Sequence, residues 1–347
     1  MLSADPELTV QETVVTEQKV EPETKKWSLK KEKEVEPADP GYVVSFIGDC
    51  TLASSQYNND FINRVNGDYT YPFKNVKEIF ASDDLTIANL ECTFSDRTSG
   101  MTSDGTFAFK APASYANILV EGNVDFVTTA NNHRDDFADN GRVDTDAALD
   151  AVGMPHAGDN ETYMAEVDGH KIGIYCAYNH LSPNEDQTKN AIDKLREDGA
   201  EIVICAFHWG KEGSYQLTET QELMGRKAIE LGADVVYGSH PHVLQKIERY
   251  QNGLIMYSMG NFSFGGNTSP RDRDTAIVQV RLSEGEDQKL LLEGYEVIPC
   301  CLSSTEGIND YCPMPYEKGS EGYSRVLSKL NGTFEGQDLS VDYSSLS

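Results

Sequence analysis

Two histidines separated by a proline, His240 and His242 in the stretch GSHPH, directly follow an apolar run, ADVVY. Such a pair is typical of metal sites, because neutral imidazole nitrogens bind divalent ions. Residues two apart in an extended segment point the same way, so we expect both rings to face one crevice while Pro241 stiffens the backbone. The alternative is that the two histidines are ordinary polar residues of a loop.

Four other apolar runs also end in a side chain that can bind metal. Asp49 follows VVSFIG, Glu91 follows LTIANL, His208 follows EIVICAF, and Asn132 with His133 follows DFVTTAN. Ligands of open α/β sheets bind at the carboxyl ends of the strands, so we expect these residues to meet there. Imidazole and carboxylate ligands together suit Mn, Fe, Zn or Mg, and a carboxylate can bridge two ions. The sequence therefore favours a metal site over a loop.

These residues lie in an alternation of short β-branched runs and helix-like stretches. Residues 141–153 and 218–232 have helix-spaced apolar residues and end at glycine, as helices usually do. Strands that are apolar nearly throughout are covered on both faces, which predicts a layered α/β domain over residues 41–300. The predicted strands lie within 85–91, 125–133, 171–178, 201–210, 233–242 and 253–262.

The two ends of the chain differ from this central part in composition. Residues 1–40 are rich in Glu, Lys, Val, Thr and Pro without periodicity, which predicts a disordered leader or linker. Residues 301–347 are rich in Gly, Ser and Asp, with one short predicted helix at YSRVLSKL, and we interpret them as a C-terminal appendage of the same domain. No stretch reaches the roughly 18–20 apolar residues that cross a bilayer, and no export signal is visible in this chain.

The formal net charge of −28 argues against nucleic acid or an anionic membrane surface as a partner, because both require a basic face. The seven cysteines show no zinc-finger spacing, and an odd number cannot all pair internally. Cys50 and Cys92 each directly follow a proposed ligand. A disulfide between them and two free buried thiols both remain open.

Several motifs follow one another in an order that resembles the bacterial capsule-synthesis CapA family, which is linked to poly-γ-glutamate capsules. They are GDCTL, ANLECTFS, NNHRDDFADNG, HWGKE, GADVVYGSHPHVLQKIERY and YSMGNFSF. That family is similar to the calcineurin-like metallophosphoesterases, and the resemblance covers about residues 42–300. It implies a four-layer α/β/β/α metallophosphoesterase-like sandwich. It also implies an exported or membrane-anchored protein on the outer face of a bacterium, with membrane-associated capsule machinery among its partners.

The resemblance assigns roles to individual residues. The first ion would bind Asp49, Glu91 and His242, and the second Glu91, Asn132, His208 and His240. His133 would be a general acid oriented by Asp136, and Glu212, Tyr257 and Asn261 would contact substrate. Metallophosphoesterases carry a further histidine at the position of Thr51, which is a poor ligand. We therefore expect one firm ion and one weakly bound ion.

Two functions follow from this set of residues. The first is a metal-dependent hydrolase that acts on a phosphoester or on an amide of a polyglutamate-like anionic polymer. The second is a non-catalytic polymer-binding or capsule-assembly module that retains the metal pocket. The missing histidine at position 51 favours the second function, as does the link of the family to polymer export rather than degradation. The net charge of −28 counts against tight binding of a polyanion unless a bound ion supplies the contact.

Overall fold

The computed structural model describes residues 41–55, 59–99, 107–178 and 184–340, with residues 138 and 139 described by their backbone alone. The predicted disordered leader, residues 1–40, lies outside the described residues. The strands are β1 (Tyr42–Thr51), β2 (Ser54–Ser55), β3 (Leu85–Leu90), β4 (Thr93–Phe94), β5 (Phe109–Ala111), β6 (Phe126–Thr128), β7 (His156–Ala157), β8 (Glu161–Val167), β9 (His170–Tyr178), β10 (Ile202–His208), β11 (Val235–Ser239), β12 (Ile247–Tyr250), β13 (Gly253–Met256), β14 (Asn261–Phe264), β15 (Asp274–Glu284), β16 (Leu290–Cys301) and β17 (Met314–Pro315).

Seven helices and two short 3₁₀ turns connect these strands in the described part of the chain. The helices are α1 (Asp60–Val65), α2 (Lys77–Phe80), α3 (Asn117–Glu121), α4 (Ala138–Ala151), α5 (Glu185–Glu197), α6 (Glu219–Glu230) and α7 (Glu321–Leu330). The 3₁₀ turns span Ala113–Ala116 and Asn132–Asp135. Helix α6 begins at a capping box, in which the Thr218 side chain and Gln221 satisfy each other's backbone N–H groups. No helix in these described ranges is long and apolar enough to cross a membrane.

Two large sheets form the centre of the domain. The eight-stranded sheet has the order β17-β16-β15-β1-β3-β6-β7, and β14 pairs in parallel with the carboxyl end of β1. The six-stranded sheet has the order β12-β13-β11-β10-β9-β8, and a small third sheet has the order β2-β5-β4. Strands β1, β3 and β6 run parallel, as do β9, β10, β11 and β13 in the other sheet. Each large sheet therefore gathers several carboxyl strand ends at one edge.

Three hydrophobic clusters separate four layers. The middle cluster packs the two large sheets together and includes Phe46 of β1 and Tyr237 of β11, whose rings lie 5.4 Å apart. A second cluster packs α1–α4 on the outer face of the eight-stranded sheet, and a third packs α5 and α6 on the outer face of the six-stranded sheet. The predicted α/β/β/α sandwich is confirmed. Helix α7 contributes Val326 and Leu330 to the middle cluster, so this C-terminal helix packs on the sheets.

The two sheets are also joined by polar contacts beside the strand ends. The Tyr237 hydroxyl donates to the Ile47 carbonyl oxygen at 2.6 Å, and the Asp49 amide donates to the Gly260 carbonyl at 2.7 Å. A Cβ added to Gly48 would lie 2.2 Å from that same Gly260 oxygen, so only glycine allows β1 to approach this segment so closely. These contacts fix the carboxyl end of β1 next to the loops of the other sheet.

Candidate metal centre

The predicted metal ligands come from both large sheets. Asp49 lies near the end of β1, Glu91 directly follows β3, and Asn132 begins the 3₁₀ turn after β6. In the six-stranded sheet, His208 is the last residue of β10, and the His240–His242 segment follows β11. The predicted ligands therefore meet at the carboxyl ends of strands from both sheets of the sandwich.

The structure brings five of these side chains, together with Glu212, into three overlapping groups. Within each group, one candidate ligand atom per residue lies within 4.8 Å of the others. Glu91 belongs to two groups, as a carboxylate that bridges two ions would. The groups are Asp49 with Glu91 and His242, Glu91 with His208 and His240, and Glu212 with His240 and His242.

Glu91 is the most informative member of these groups. It is fully buried, and neither carboxylate oxygen has a hydrogen-bond partner in the described residues. The closest ionisable nitrogens are His208 Nε2, 3.5 Å from Oε1, and His242 Nδ1, 3.7 Å from Oε2. Burial raises the pKa of Glu91 well above its usual value; His242 opposes this effect, and Asp49 adds to it. A buried carboxylate without hydrogen bonds is costly, and coordination of a cation would remove that cost.

The HPH segment reaches the site by a different backbone path from the one predicted. His240 has φ of 96° and His242 has φ of 57°, so neither residue is in an extended conformation. Positive φ is strained for a residue with a side chain and persists where the surrounding structure enforces it. The two rings still converge, with centroids 6.0 Å apart, and the His240 amide donates to Asp49 Oδ2 at 3.3 Å. The prediction of a shared crevice therefore agrees with the structure, but its reason, extended geometry, was wrong.

The two histidines of this segment differ in charge. Burial lowers the pKa of His240 to about 4, and its Nδ1 is buried without a hydrogen-bond partner in the described chain, so the ring is neutral at pH 7. Burial also acts to lower the pKa of His242, but Glu91 and Asp49 outweigh it and raise the value to about 10. His242 Nδ1 lies 3.2 Å from Asp49 Oδ2. A bound cation would take the place of the proton on His242.

His208 is oriented from both sides of its ring. Its Nδ1 lies 2.9 Å from the Ser239 hydroxyl, and its Nε2 lies 2.7 Å from Asn132 Oδ1. Its ring centroid is 4.7 Å from that of His240. Partners of this kind fix the orientation of a metal-binding histidine. Asn132, His208 and His240 thus lie together, as the assignment to a second ion requires.

Two buried asparagines that were not predicted from the sequence, Asn89 and Asn131, connect the candidate ligands. Asn89 Nδ2 donates to Asp49 Oδ1 at 2.9 Å, and Asn131 Nδ2 donates to Asn89 Oδ1 at 3.0 Å. Asn131 Oδ1 in turn accepts from the His133 amide at 3.2 Å. These hydrogen bonds orient the Asp49 carboxylate of β1 and the loop after β6. The signal was an amide inside the apolar run LTIANL, where a buried polar side chain requires partners.

His133 and Asp136 form the predicted pair beside these ligands. His133 Nδ1 lies 3.0 Å from Asp136 Oδ2, and both residues are buried. The same oxygen accepts the Phe109 amide at 2.8 Å, and the Phe109 ring lies 4.5 Å from the imidazole. With Nδ1 held by a carboxylate, Nε2 is the nitrogen that can exchange a proton.

The three residues predicted to contact substrate have different environments. Asn261 Oδ1 lies 2.9 Å from His242 Nδ1, and its amide donates to the His242 carbonyl, so this side chain positions a candidate ligand. Glu212 lies within the group of His240 and His242. Tyr257 is not at the site: it is buried among the residues between the six-stranded sheet and its helices, and its hydroxyl donates to Glu248. The YSMGNF motif therefore has a structural tyrosine.

Cys50 and Cys92 are free thiols in the structure, as are the other five cysteines. Both pack in the cluster on the outer face of the eight-stranded sheet, and burial raises the pKa of each thiol. Of the two open alternatives, the structure shows the pair of buried thiols.

The fold and the site define an α/β/β/α sandwich with a candidate metal centre at the strand ends. The family model described as "Bacterial capsule synthesis protein PGA_cap" matches residues 43–266, which is more than half of the chain. The chain therefore belongs to this capsule synthesis family, and the resemblance inferred from the motifs is confirmed.

Named relatives support the same conclusion. The capsule biosynthesis protein CapA of Bacillus anthracis is 26% identical over 267 residues, which cover 70% of this chain and 64% of that protein. The PGA biosynthesis protein CapA of Bacillus subtilis is 25% identical, with 82% of this chain and 77% of that protein covered. This chain thus spans less than two thirds of the length of the B. anthracis relative.

A solved structure of a hypothetical protein from Thermus thermophilus is 18% identical, with a TM-score of 0.46, and covers 74% of this chain and 99% of that chain. Vps29 of Chaetomium thermophilum is 10% identical, with a TM-score of 0.29, and covers 75% of this chain and 98% of its own. Because both TM-scores are below 0.5, the fold is defined by the strand order and layers of this chain and not by these similarities.

Proposed function

We propose that this chain is a metal-dependent hydrolase of poly-γ-glutamate capsule synthesis, with a phosphoesterase-like site. The observation that carries the proposal is Glu91, a buried carboxyl group that lies between His208 and His242 and makes no hydrogen bond through either oxygen in the described chain. A structural carboxylate in a dry interior would be paired with hydrogen-bond donors. The unpaired Nδ1 of His240 points to the same explanation. These residues fit a divalent ion such as Mn, Fe, Zn or Mg.

A bound ion would supply Lewis acidity and a nucleophilic water near pH 7. The residues of the chain do the remaining work. Asp49 is oriented by Asn89, and His208 by Ser239, so the ligand atoms are preorganised. Asp136 holds Nδ1 of His133 and leaves Nε2 to donate a proton to the departing group.

The proposed substrates are a phosphoester or a γ-glutamyl amide of an anionic polymer. The names of relatives refer to capsule biosynthesis, PGA biosynthesis and polyglutamine synthesis, which supports a polymer of this class. The test measures hydrolysis of generic aryl phosphates and of poly-γ-glutamate by purified protein supplied with Mn²⁺. Asp49→Ala and His240→Ala should lose the activity. Activity equal to that of wild type in both variants would rule out catalysis at this site.

A second candidate function is polymer binding without turnover, and one observation favours it. Thr51 replaces the histidine of metallophosphoesterases, and its hydroxyl is buried without a hydrogen-bond partner in the described residues. A weakened first ion is compatible with docking of a carboxylate polymer on the remaining cation. Measurable affinity for poly-γ-glutamate that is lost with chelator, together with no hydrolysis of any substrate, would favour this function.

The location on the outer face of the cell is also a proposal, as is an association with membrane-bound capsule machinery. Membership of a capsule synthesis family supports both, since a capsule is assembled outside the cell. Fractionation of the source bacterium, with protease treatment of intact cells, tests the location. Protection of the chain in intact cells would contradict an outer-face position.

A further inference from the structure

Glu212 is the one residue of the three metal-capable groups that was not expected to be a ligand. It follows HWG after β10 and is partly buried, as are His240 and His242, with which it forms a group of ligand atoms within 4.8 Å. His242 also belongs to the group of Asp49, and His240 to the group of His208. Glu212 therefore lies beside both proposed ion positions.

The backbone around Glu212 holds it against the HPH segment. The Trp209 amide donates to the Ser239 carbonyl at 3.1 Å, and the Gly213 amide donates to the Pro241 carbonyl at 2.8 Å. Residues 209–213 thus run alongside residues 239–241 and are fixed to them on both sides of Glu212.

The outer side of this loop is anchored as well. The Gly213 carbonyl accepts the Leu339 amide at 3.0 Å, and the Trp209 indole donates to the Tyr257 carbonyl at 2.9 Å. A Cβ added to Gly213 would lie 2.5 Å from the Leu339 oxygen, so this approach requires glycine. Side chains presented by such a fixed backbone are precise ligands.

The first ion position lacks a ligand that Glu212 can supply. Its group contains three residues, Asp49, Glu91 and His242, and Thr51 stands where metallophosphoesterases have a histidine. Nδ1 of His240, which belongs to the group of Glu212, is buried without a hydrogen-bond partner in the described chain, and coordination of a cation would satisfy it. A carboxylate is a good ligand for the hard divalent ions that this set suits.

We infer that Glu212 is a metal ligand of this chain and takes over the role of the histidine missing at position 51. The inference rests on the proposed function only in requiring that divalent ions bind at this site. Because Glu212 is partly exposed and lies on a loop, it completes the ligand set of the more weakly bound ion, while the second ion keeps its own ligands.

The test is calorimetric titration of the chelator-treated full chain with Mn²⁺, together with elemental analysis of the loaded protein. In Glu212→Gln, we expect the dissociation constant of the weaker ion to rise at least about tenfold, the change that corresponds to about 1.4 kcal/mol. The dissociation constant of the tighter ion should change less than about twofold, which corresponds to less than about 0.4 kcal/mol. Glu219→Gln is the matched control, because it makes the same change seven residues further on, outside the three ligand groups.

The outcomes separate the two proposals. A Glu212→Gln titration that matches wild type overturns the role of Glu212 and leaves the metal-dependent function intact. Equal weakening of both ions also overturns it, because that result indicates a displaced loop. A wild-type chain that binds no divalent ion overturns both proposals. Thermal unfolding in chelator, expected to be equal for wild type and variant, establishes that Glu212→Gln folds normally.

Discussion

Replacing Glu91 with glutamine distinguishes two effects of this side chain: its effect on the free energy of unfolding without metal, and its contribution to metal binding. The two side chains have nearly the same volume, so the substitution leaves no cavity. Without metal, glutamine removes a buried carboxyl group that has no hydrogen bond in the described chain, and it also removes an attraction to His242 3.7 Å away. These effects oppose each other, so we expect the free energy of unfolding in chelator to change by no more than about 1 kcal/mol.

With metal the result should be different. An ion that binds only the folded state adds about 2.7 kcal/mol at a concentration one hundred times its dissociation constant. Unfolding of roughly 300 residues has an entropy of about 0.6 kcal/mol per degree, so that gain raises the melting temperature of wild type by about 4 °C per ion. Glu91 belongs to two ligand groups, and a neutral amide is a weak ligand. We therefore expect a rise below about 1 °C in Glu91→Gln.

The assay is thermal unfolding of both proteins, followed by far-UV circular dichroism, in chelator and in Mn²⁺. Glu219→Gln serves as the control and should show the wild-type shift. An equal metal-induced shift in wild type and Glu91→Gln would refute the reasoning, because the ion would then bind somewhere else. A variant that loses several kcal/mol in chelator would show that Glu91 stabilises the fold without metal.

Further predictions concern residues around the centre. His133→Ala should lower kcat by about 10²–10⁴-fold without changing metal content, and the loss should shrink for substrates with better leaving groups; a uniform loss would contradict a proton-donor role. Tyr257→Phe removes a hydroxyl that donates to Glu248 at 2.9 Å; urea unfolding should show a loss of about 1 kcal/mol, with turnover and metal affinity unchanged. Gly238→Ala would put a Cβ 2.1 Å from the Tyr257 carbonyl oxygen, two residues before His240; we expect a loss of about 1–3 kcal/mol and weaker metal binding. Titration of the denatured, unreduced chain should find seven reactive thiols, and five would indicate a disulfide.

The strands could be predicted because most of them are buried on both faces and stand out as apolar runs. The run at 253–262, which the sequence predicts as one strand, is an exception. It forms two strands in different sheets: β13 in the six-stranded sheet and β14 in the eight-stranded sheet. Gly260, with φ of 62°, lies at the crossing between them. Periodicity does not detect such a crossing, because both strands are buried on both faces and neither alternates between buried and exposed residues.

The long hairpin of β15 and β16 was not predicted for a related reason. Eleven residue pairs join the two strands, and β16 is mostly half-buried or exposed along its length, unlike the strands of the centre. Its alternation of polar and apolar residues is weak, so the pairing with β15 rather than burial defines it. Cross-strand pairing is a long-range property that a single run does not reveal.

The sequence by itself determined the types of residue at the strand ends, the positions of the helices α4, α6 and α7, and the family that these motifs define. Which residues meet was decided by the tertiary structure. It placed Asp49 and Glu91 against His240 and His242 by packing one sheet on another. It also buried the Tyr257 side chain between the six-stranded sheet and its helices. Contacts between residues nearly 200 positions apart depend on how whole layers pack against each other. The local sequence pattern does not predict that packing.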